Sequence, residues 1–211
     1  MKMETTLQVL EIINYIATII LVIVAIIGLQ QLKISKETRK ITSKREAFKI
    51  AAEQCNFYLE KIIPEINKLN KVIEKKELDF FSKSQVNIDG EKISVVPYTE
   101  NDSIERLIDK GIDEVMTVSN LLESFSLYFV SGVASEEVGF NTVGNTFVYS
   151  VKNYLPFYIS MSNSGAYKHT LSLFVNWNNK IELEKLNKEK DKIEKKLKGS
   201  KTVTIKTIGT E

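Results

Sequence analysis

One cysteine, one histidine and one tryptophan are spread over 211 residues. A single thiol, Cys55, excludes an internal disulfide framework and is compatible with a reducing compartment. A single imidazole, His169, leaves little room for a histidine-based triad or a histidine-rich metal site, and no local motif surrounds it. Arginine is scarce as well: Arg39, Arg45 and Arg106 stand alone. The other cations are lysines, the weaker choice for bidentate recognition of phosphate or carboxylate. Net charge is only +2, so no global basic field points to nucleic acid and no such partner is expected. HExxH, CxxC, an EF-hand loop and GxSxG are all missing. GFNTVGNT, Gly139 to Thr146, has the glycine spacing of a phosphate-binding loop. Asn145 stands where the lysine belongs, however, and the segment fits a helix after Ser135. Asp109, Asp113 and Glu114 are flanked by core positions, and nothing sets an acid against a base. No catalytic, cofactor-binding or metal-binding residue is assigned, and no cofactor is expected.

What the chain does have is apolar length. From Ile12 to Leu32, twenty-one residues carry no charge and thirteen of them are Ile, Leu or Val. As a helix this run is about 32 Å long, close to the ~30 Å hydrocarbon thickness of a bilayer. A soluble core helix keeps a polar face, and here the apolar residues run all round. A cleaved signal has a shorter apolar region and a small-x-small site, which GLQQLK does not offer. No cysteine follows the run to make a lipoprotein box. The run therefore reads as one uncleaved transmembrane helix. Lys2, Glu4 and Glu11 precede it; Lys33, Lys36, Arg39, Lys40, Lys44, Arg45 and Lys49 follow, against Glu37 and Glu46. The positive-inside rule puts the N-terminus outside and the rest in the cytoplasm. No acid, base or proline interrupts the span, so it reads as an anchor and not as an ion pathway.

Lys33, Lys36, Arg39, Lys40, Lys44 and Arg45 form a basic collar, the one candidate site, facing the membrane surface. Lys33, Lys36, Lys40 and Lys44 share a helical face. Each contributes about 1 kcal/mol beside an anionic leaflet, or the charges only set topology. Through the same region Ile34, Ile41, Phe48, Cys55, Ile62 and Leu69 recur every seven residues. Thr38, Arg45, Ala52, Leu59, Ile66 and Ile73 form a companion row four residues later. That seam suits either a parallel coiled coil or packing against later helices of the same chain; the second is favoured, because those helices carry stripes of their own. Pro64 is expected to kink the helix.

Further on, Val86 to Val95 reads as a hairpin with Asp89-Gly90 as its turn, pairing Val86 with Ile93 and Ser84 with Val95. Asp102 and Glu105 resemble a capping box, followed by a buried face of Ile104, Leu107, Ile108, Val115, Leu122, Phe125 and Phe129 with Gly132 as its stop. A helix after Ser135 carries Phe140, Val143, Phe147, Val151 and Tyr154, and Pro156 ends or bends it. The apolar run Tyr154 to Ile159 is core or an interfacial loop. After a turn at Asn163 to Gly165, the last helix buries Tyr167, Leu171, Phe174, Trp177 and Ile181. Leu183, Leu186, Ile193 and Leu197 then keep coiled-coil spacing, with Lys190 in the slot between, on a charged extension ending in a frayed tail.

KREAFKIAAEQCNFYLEKIIPEI, Lys44 to Ile66, and LLESFSLYFVSGVASEEVGF, Leu121 to Phe140, together with the N-terminal span resemble a class of small bacterial proteins with a membrane anchor and a helical domain of unknown function. The resemblance implies bacterial origin and a cytoplasmic helical domain, and supplies no site residues. The expected fold is mainly α: residues 1–32 the N-terminal segment and span, 33–46 the juxtamembrane helix, 47–182 a helical bundle with a hairpin near 85–97, and 183–211 a charged extension and tail. The expected function is a non-enzymatic interaction or scaffold module at the inner face of the cell membrane. Its partners would be the lipid bilayer and a protein or a second copy, met at the lysine-rich end or at Tyr154 to Ile159. A membrane effector in a stress or phage-defence system is the alternative, and a membrane-surface enzyme a more distant one.

Overall fold

The computed structural model describes residues 2–90, 92–98, 107, 109, 112–162 and 165–199. The proposed capping box at Asp102 and Glu105, Ile104, Ile108, Asn163, Ser164 and the tail from residue 200 lie outside them. The protein is mainly α. Helix α1 is Lys2–Phe57, α2 Ile63–Lys75, α3 Asp79–Lys83, α4 Ile112–Val130, α5 Glu136–Ser162 and α6 Lys168–Gly199, with strands β1 Gln85–Asp89 and β2 Lys92–Val96 between α3 and α4. Contacts divide the chain into two units, Met1–Phe48 and Lys49–Glu211.

The first unit is α1 up to Phe48; the rest of that helix belongs to the second unit. Its most apolar 18-residue window has a mean hydropathy of 2.3, and none of that window is buried in the protein. It is long and apolar enough to cross a membrane. Thr18 donates its hydroxyl to the Asn14 carbonyl at 2.8 Å, so this polar group is satisfied within the helix.

The second unit is an up-down-up-down bundle. Facing residues give the directions. Phe125 lies against Phe147 and Phe129 against Gly139, so α4 and α5 are antiparallel. Tyr167 meets Tyr158 while Trp177 meets Phe147 and Phe140, so α5 and α6 are antiparallel too. Tyr58 faces Ser150 and Asn70 faces Tyr154, which sets α2 parallel to α5. The centre is aromatic: Tyr58, Phe125, Phe147, Phe174 and Trp177 are fully buried.

Pro64 does not end its helix, because α2 follows α1 through a single π-turn. Tyr58–Ile62 widens into a π-turn, in which the Ile63 N–H bonds to the Tyr58 carbonyl five residues back. That extra residue accommodates the proline ring and shifts the apolar phase. Upstream, the buried companions of Cys55 are Ala51 and Tyr58, not the expected Ala52 and Leu59, which are exposed. Downstream, Ile62, Ile66 and Leu69 are buried as the heptad predicts. From Ala51 onward the seam packs within the chain; Ile34, Ile41 and Phe48 stay exposed.

The hairpin forms in a different register from the one expected. Val86 pairs with Val95, Ile88 with Ile93 and Asp89 with Lys92, so Asp89 belongs to the ladder and the turn is not Asp89-Gly90. The slip sets Val86, Ile88, Ile93 and Val95 on one half-buried face, where Asp89-Gly90 would have put Ile88 opposite Glu91. Gly90 supplies the positive φ, +58°, that the turn needs. The buried face of this ribbon and α3 pack on α5, which gives two marginal strands the support they need.

Pro156 is also inside a helix, since α5 continues to Ser162. Tyr154, Leu155, Pro156, Phe157 and Tyr158 are all buried. The run Tyr154 to Ile159 is core helix, and the idea of an interfacial loop there is wrong. An apolar run this dense can be enclosed on every side once α2, α3, α4 and α6 surround it. The Tyr158 hydroxyl is buried without a hydrogen-bond partner among the described residues; the nearby Ser119 hydroxyl donates its own proton to the Val115 carbonyl at 2.6 Å. Tyr158→Phe should therefore raise the unfolding free energy by about 1 kcal/mol, read as a higher urea midpoint at unchanged slope. A lower midpoint would show that the hydroxyl is satisfied.

Candidate functional site

All six collar residues, Lys33, Lys36, Arg39, Lys40, Lys44 and Arg45, are exposed on α1. At ~100° per residue the four lysines gather on one face, while Arg39 and Arg45 project elsewhere. Arg45 falls in the Ile34–Ile41–Phe48 stripe instead. Lys44 also lies over the Phe48 ring, 5.4 Å from its centroid. The collar is thus a row of four solvated ammonium groups beside an apolar stripe. Its chemistry is that of a charged rim, with no geometry for bond making or breaking.

The best-connected polar cluster is one that sequence reasoning missed. Glu123 of α4 reaches the first turn of α6. Its Oε2 accepts from the Thr170 N–H and hydroxyl, both at 2.8 Å, and its Oε1 from the His169 N–H at 3.2 Å, with His169 Nδ1 at 2.7 Å. A carboxylate from a neighbouring helix therefore caps the orphan donors that open α6. Tyr167 enters that helix at a positive φ of 58°, held by its own buried ring. A signal was available: Glu123 is the only charged residue between Glu114 and Glu136, and a solitary charge in an apolar helix needs a partner. His169, one of its donors, has a structural place. Every donor around Glu123 belongs to the helix end, so the cluster holds α6 in place and leaves no free base.

Burial pushes the Glu123 carboxyl up, but the donors from Thr170 and His169 outweigh it and hold its pKa below the ordinary glutamate range. The folded state therefore binds that proton less readily than the unfolded chain. The contribution is fully present above the unfolded value of about 4.3 and is lost as pH falls through the lower folded value. Glu123→Gln should cost about 1–3 kcal/mol at pH 7, and the gap to the unmodified protein should close below pH ~4. Urea midpoints of both proteins across that range test it; a gap constant with pH would refute the charged cap.

Other reactive groups are quenched. Cys55 is buried, and burial raises its thiol pKa despite a hydrogen bond with Thr142, which disfavours the nucleophilic thiolate. Burial likewise pushes Tyr58 up to about 12. The GFNTVGNT segment lies inside α5, where a side chain on Gly139 would run into the Phe129 ring and one on Gly144 into the Phe140 ring. These glycines serve close packing, and the segment's amides belong to a helix, not to a phosphate loop. A cleft of about 600 Å³ opens between α2, α3, β1 and α5. Tyr149 and Lys152 line it with Asn70 and Phe81, and its lining includes no carboxylate, histidine or cysteine. Among the described residues, no group of three or more His, Cys, Asp or Glu side chains is placed to hold a metal ion. Comparison of the chain with protein-family models, with curated proteins and with solved structures finds no match.

Proposed function

We propose that the protein is a single-pass, membrane-anchored interaction module on the cytoplasmic face of a bacterial membrane, without enzymatic activity of its own. The observation that carries this reading is the bare apolar stretch of α1, unburied among the described residues and followed at once by the basic collar. In water such a surface costs on the order of 25 cal/mol for each Å² left exposed; in hydrocarbon it costs nothing. Orientation follows from the charge difference across the stretch. The bacterial setting follows from the resemblance to small anchored proteins of that kind. Support for interaction over catalysis comes from the bundle, whose buried polar groups go to packing and helix capping. The candidate contact surface is the lysine-rich end of α6, where Leu183, Leu186, Ile193 and Leu197 are exposed. Alkaline carbonate extraction of bacterial membranes, followed by protease on intact spheroplasts, tests the proposal. The chain should stay in the pellet, and the bundle should survive protease until the cells are lysed. Release by carbonate, or digestion of the bundle in intact spheroplasts, would overturn it.

A further inference from the structure

Two apolar seams lie bare on charged helices. On α1, Ile34, Ile41 and Phe48 are 40 to 62 % exposed, and on α6, Leu183, Leu186, Ile193 and Leu197 are 58 to 68 % exposed. Neither seam is covered, although each has the spacing of a coiled-coil face. The two match in reverse. Along α1 the seam positions 34, 38, 41, 45 and 48 step by 4, 3, 4 and 3; read backward along α6, positions 197, 193, 190, 186 and 183 take the same steps. Antiparallel pairing therefore keeps every layer in register over about 21 Å. Ile34 falls opposite Leu197 and Phe48 opposite Leu183, closing both ends with apolar layers. In the mixed layers between, Thr38 faces Ile193, Lys190 faces Ile41 and Arg45 faces Leu186. The long stems of Lys190 and Arg45 cover their partners while the charged heads reach water.

Charge selects this pairing. It sets Glu37 beside Lys196 and Lys44 beside Glu189. The one like pair on its flank, Lys49 and Lys180, is already compensated by Glu53 at 3.9 Å and Glu136 at 2.6 Å. Like-with-like seams fare worse. Parallel α6 with α6 stacks Lys190 on Lys190 and puts Glu189 beside Glu194; parallel α1 with α1 stacks Arg45 on Arg45 and puts Lys44 beside Lys49. Antiparallel α6 with α6 sets Glu189 against itself.

We infer that the partner is a second copy of this chain: in a two-fold dimer, the 34–48 seam of each copy is covered by the 183–197 seam of the other, antiparallel. A two-fold axis makes the contact twice and closes it. The inference rests on the membrane-anchored reading, because confinement to one bilayer raises the effective concentration on which a seam of two heptads depends.

The test uses two differently tagged full-length copies expressed together, one with Ile34→Cys and the other with Leu197→Cys, oxidised in isolated membranes. Cys55 is buried and does not compete. A disulfide-linked dimer carrying both tags is expected, at least tenfold above the Ile34→Cys with Leu183→Cys combination, which joins opposite ends of the seam. Ile193→Lys, at an exposed position, should abolish the crosslink while leaving the thermal unfolding midpoint unchanged. Absence of the mixed dimer would overturn the inference. So would a chain carrying both cysteines that closes its disulfide only within itself. Loss of the protein from the membrane pellet would instead defeat the anchor, and oxidation of the soluble fraction would then decide the seam separately.

Discussion

Ile20→Lys combined with Ile23→Lys should move the protein from the carbonate-resistant pellet to the supernatant. A lysine at the centre of a span costs about 2.5–3.5 kcal/mol and an isoleucine there contributes about −0.3 to −0.6, so each replacement costs about 3–4 kcal/mol. Thirteen Ile, Leu and Val residues between Ile12 and Leu32 supply on the order of 4–8 kcal/mol, less near the ends. One lysine takes about half of that and should give partial extraction. Two exhaust it. Ile20→Leu with Ile23→Leu keeps the apolar surface and should change nothing. The bundle supplies the internal control, because both positions lie in the first unit and the urea midpoint of the second should hold. A double-lysine protein that stays in the pellet would show that the bundle, and not the span, holds the chain on the membrane.

Trp177→Ala should give the largest stability loss in the bundle, about 3–5 kcal/mol. The indole is fully buried, with Phe147, Phe129 and Phe140 ring centroids at 5.1, 5.5 and 5.9 Å. It fastens α6 to α4 and α5 together. Its Nε1 donates to Glu136 Oε1 at 2.8 Å, and Glu136 also holds Lys180 at 2.6 Å. Trp177→Phe keeps an aromatic ring in the site and leaves Glu136 its lysine, so about 1–2 kcal/mol is expected there. A domain of ordinary stability has about 5–15 kcal/mol in all, so the alanine variant should lower the urea midpoint by about a fifth or more. Far-UV circular dichroism, with the residual signal of the apolar N-terminal helix subtracted, reads that midpoint without needing the indole. Equal midpoints for the alanine variant and the unmodified protein would mean that the aromatic centre is not the core of the bundle.

The elements legible in the chain were those whose signal is local. A charge-free run of bilayer length is visible without any partner, because hydrocarbon asks only for length and hydropathy. The bundle stripes were visible for the same kind of reason: Val115, Leu122, Phe125 and Phe129 recur at helical spacing, and all four are buried. Signals that depend on a neighbour misled. Asp89-Gly90 looked like the turn until the pairing of four apolar side chains moved it by a residue. Pro64 gave no sign of the π-turn that precedes it, and Pro156, read as an end or a bend, lies inside α5, which continues to Ser162. Tyr58 hid behind Leu59 because the phase shift of one residue cannot be seen in a heptad count.

The candidate site divides along the same line. The collar lysines could be named from spacing alone, since a solvated charge on a helix depends on nothing but its position. Glu123 could not, because its meaning lies 46 residues away in sequence, at the start of α6. The sequence by itself determined that this chain has an apolar helix of membrane length, a basic exit and enough amphipathic helices for a core, because each is a property of consecutive residues. Only the tertiary structure decided which faces of those helices are covered and which are left bare. Burial is a relation between distant segments, and no periodicity says which partner a stripe will find.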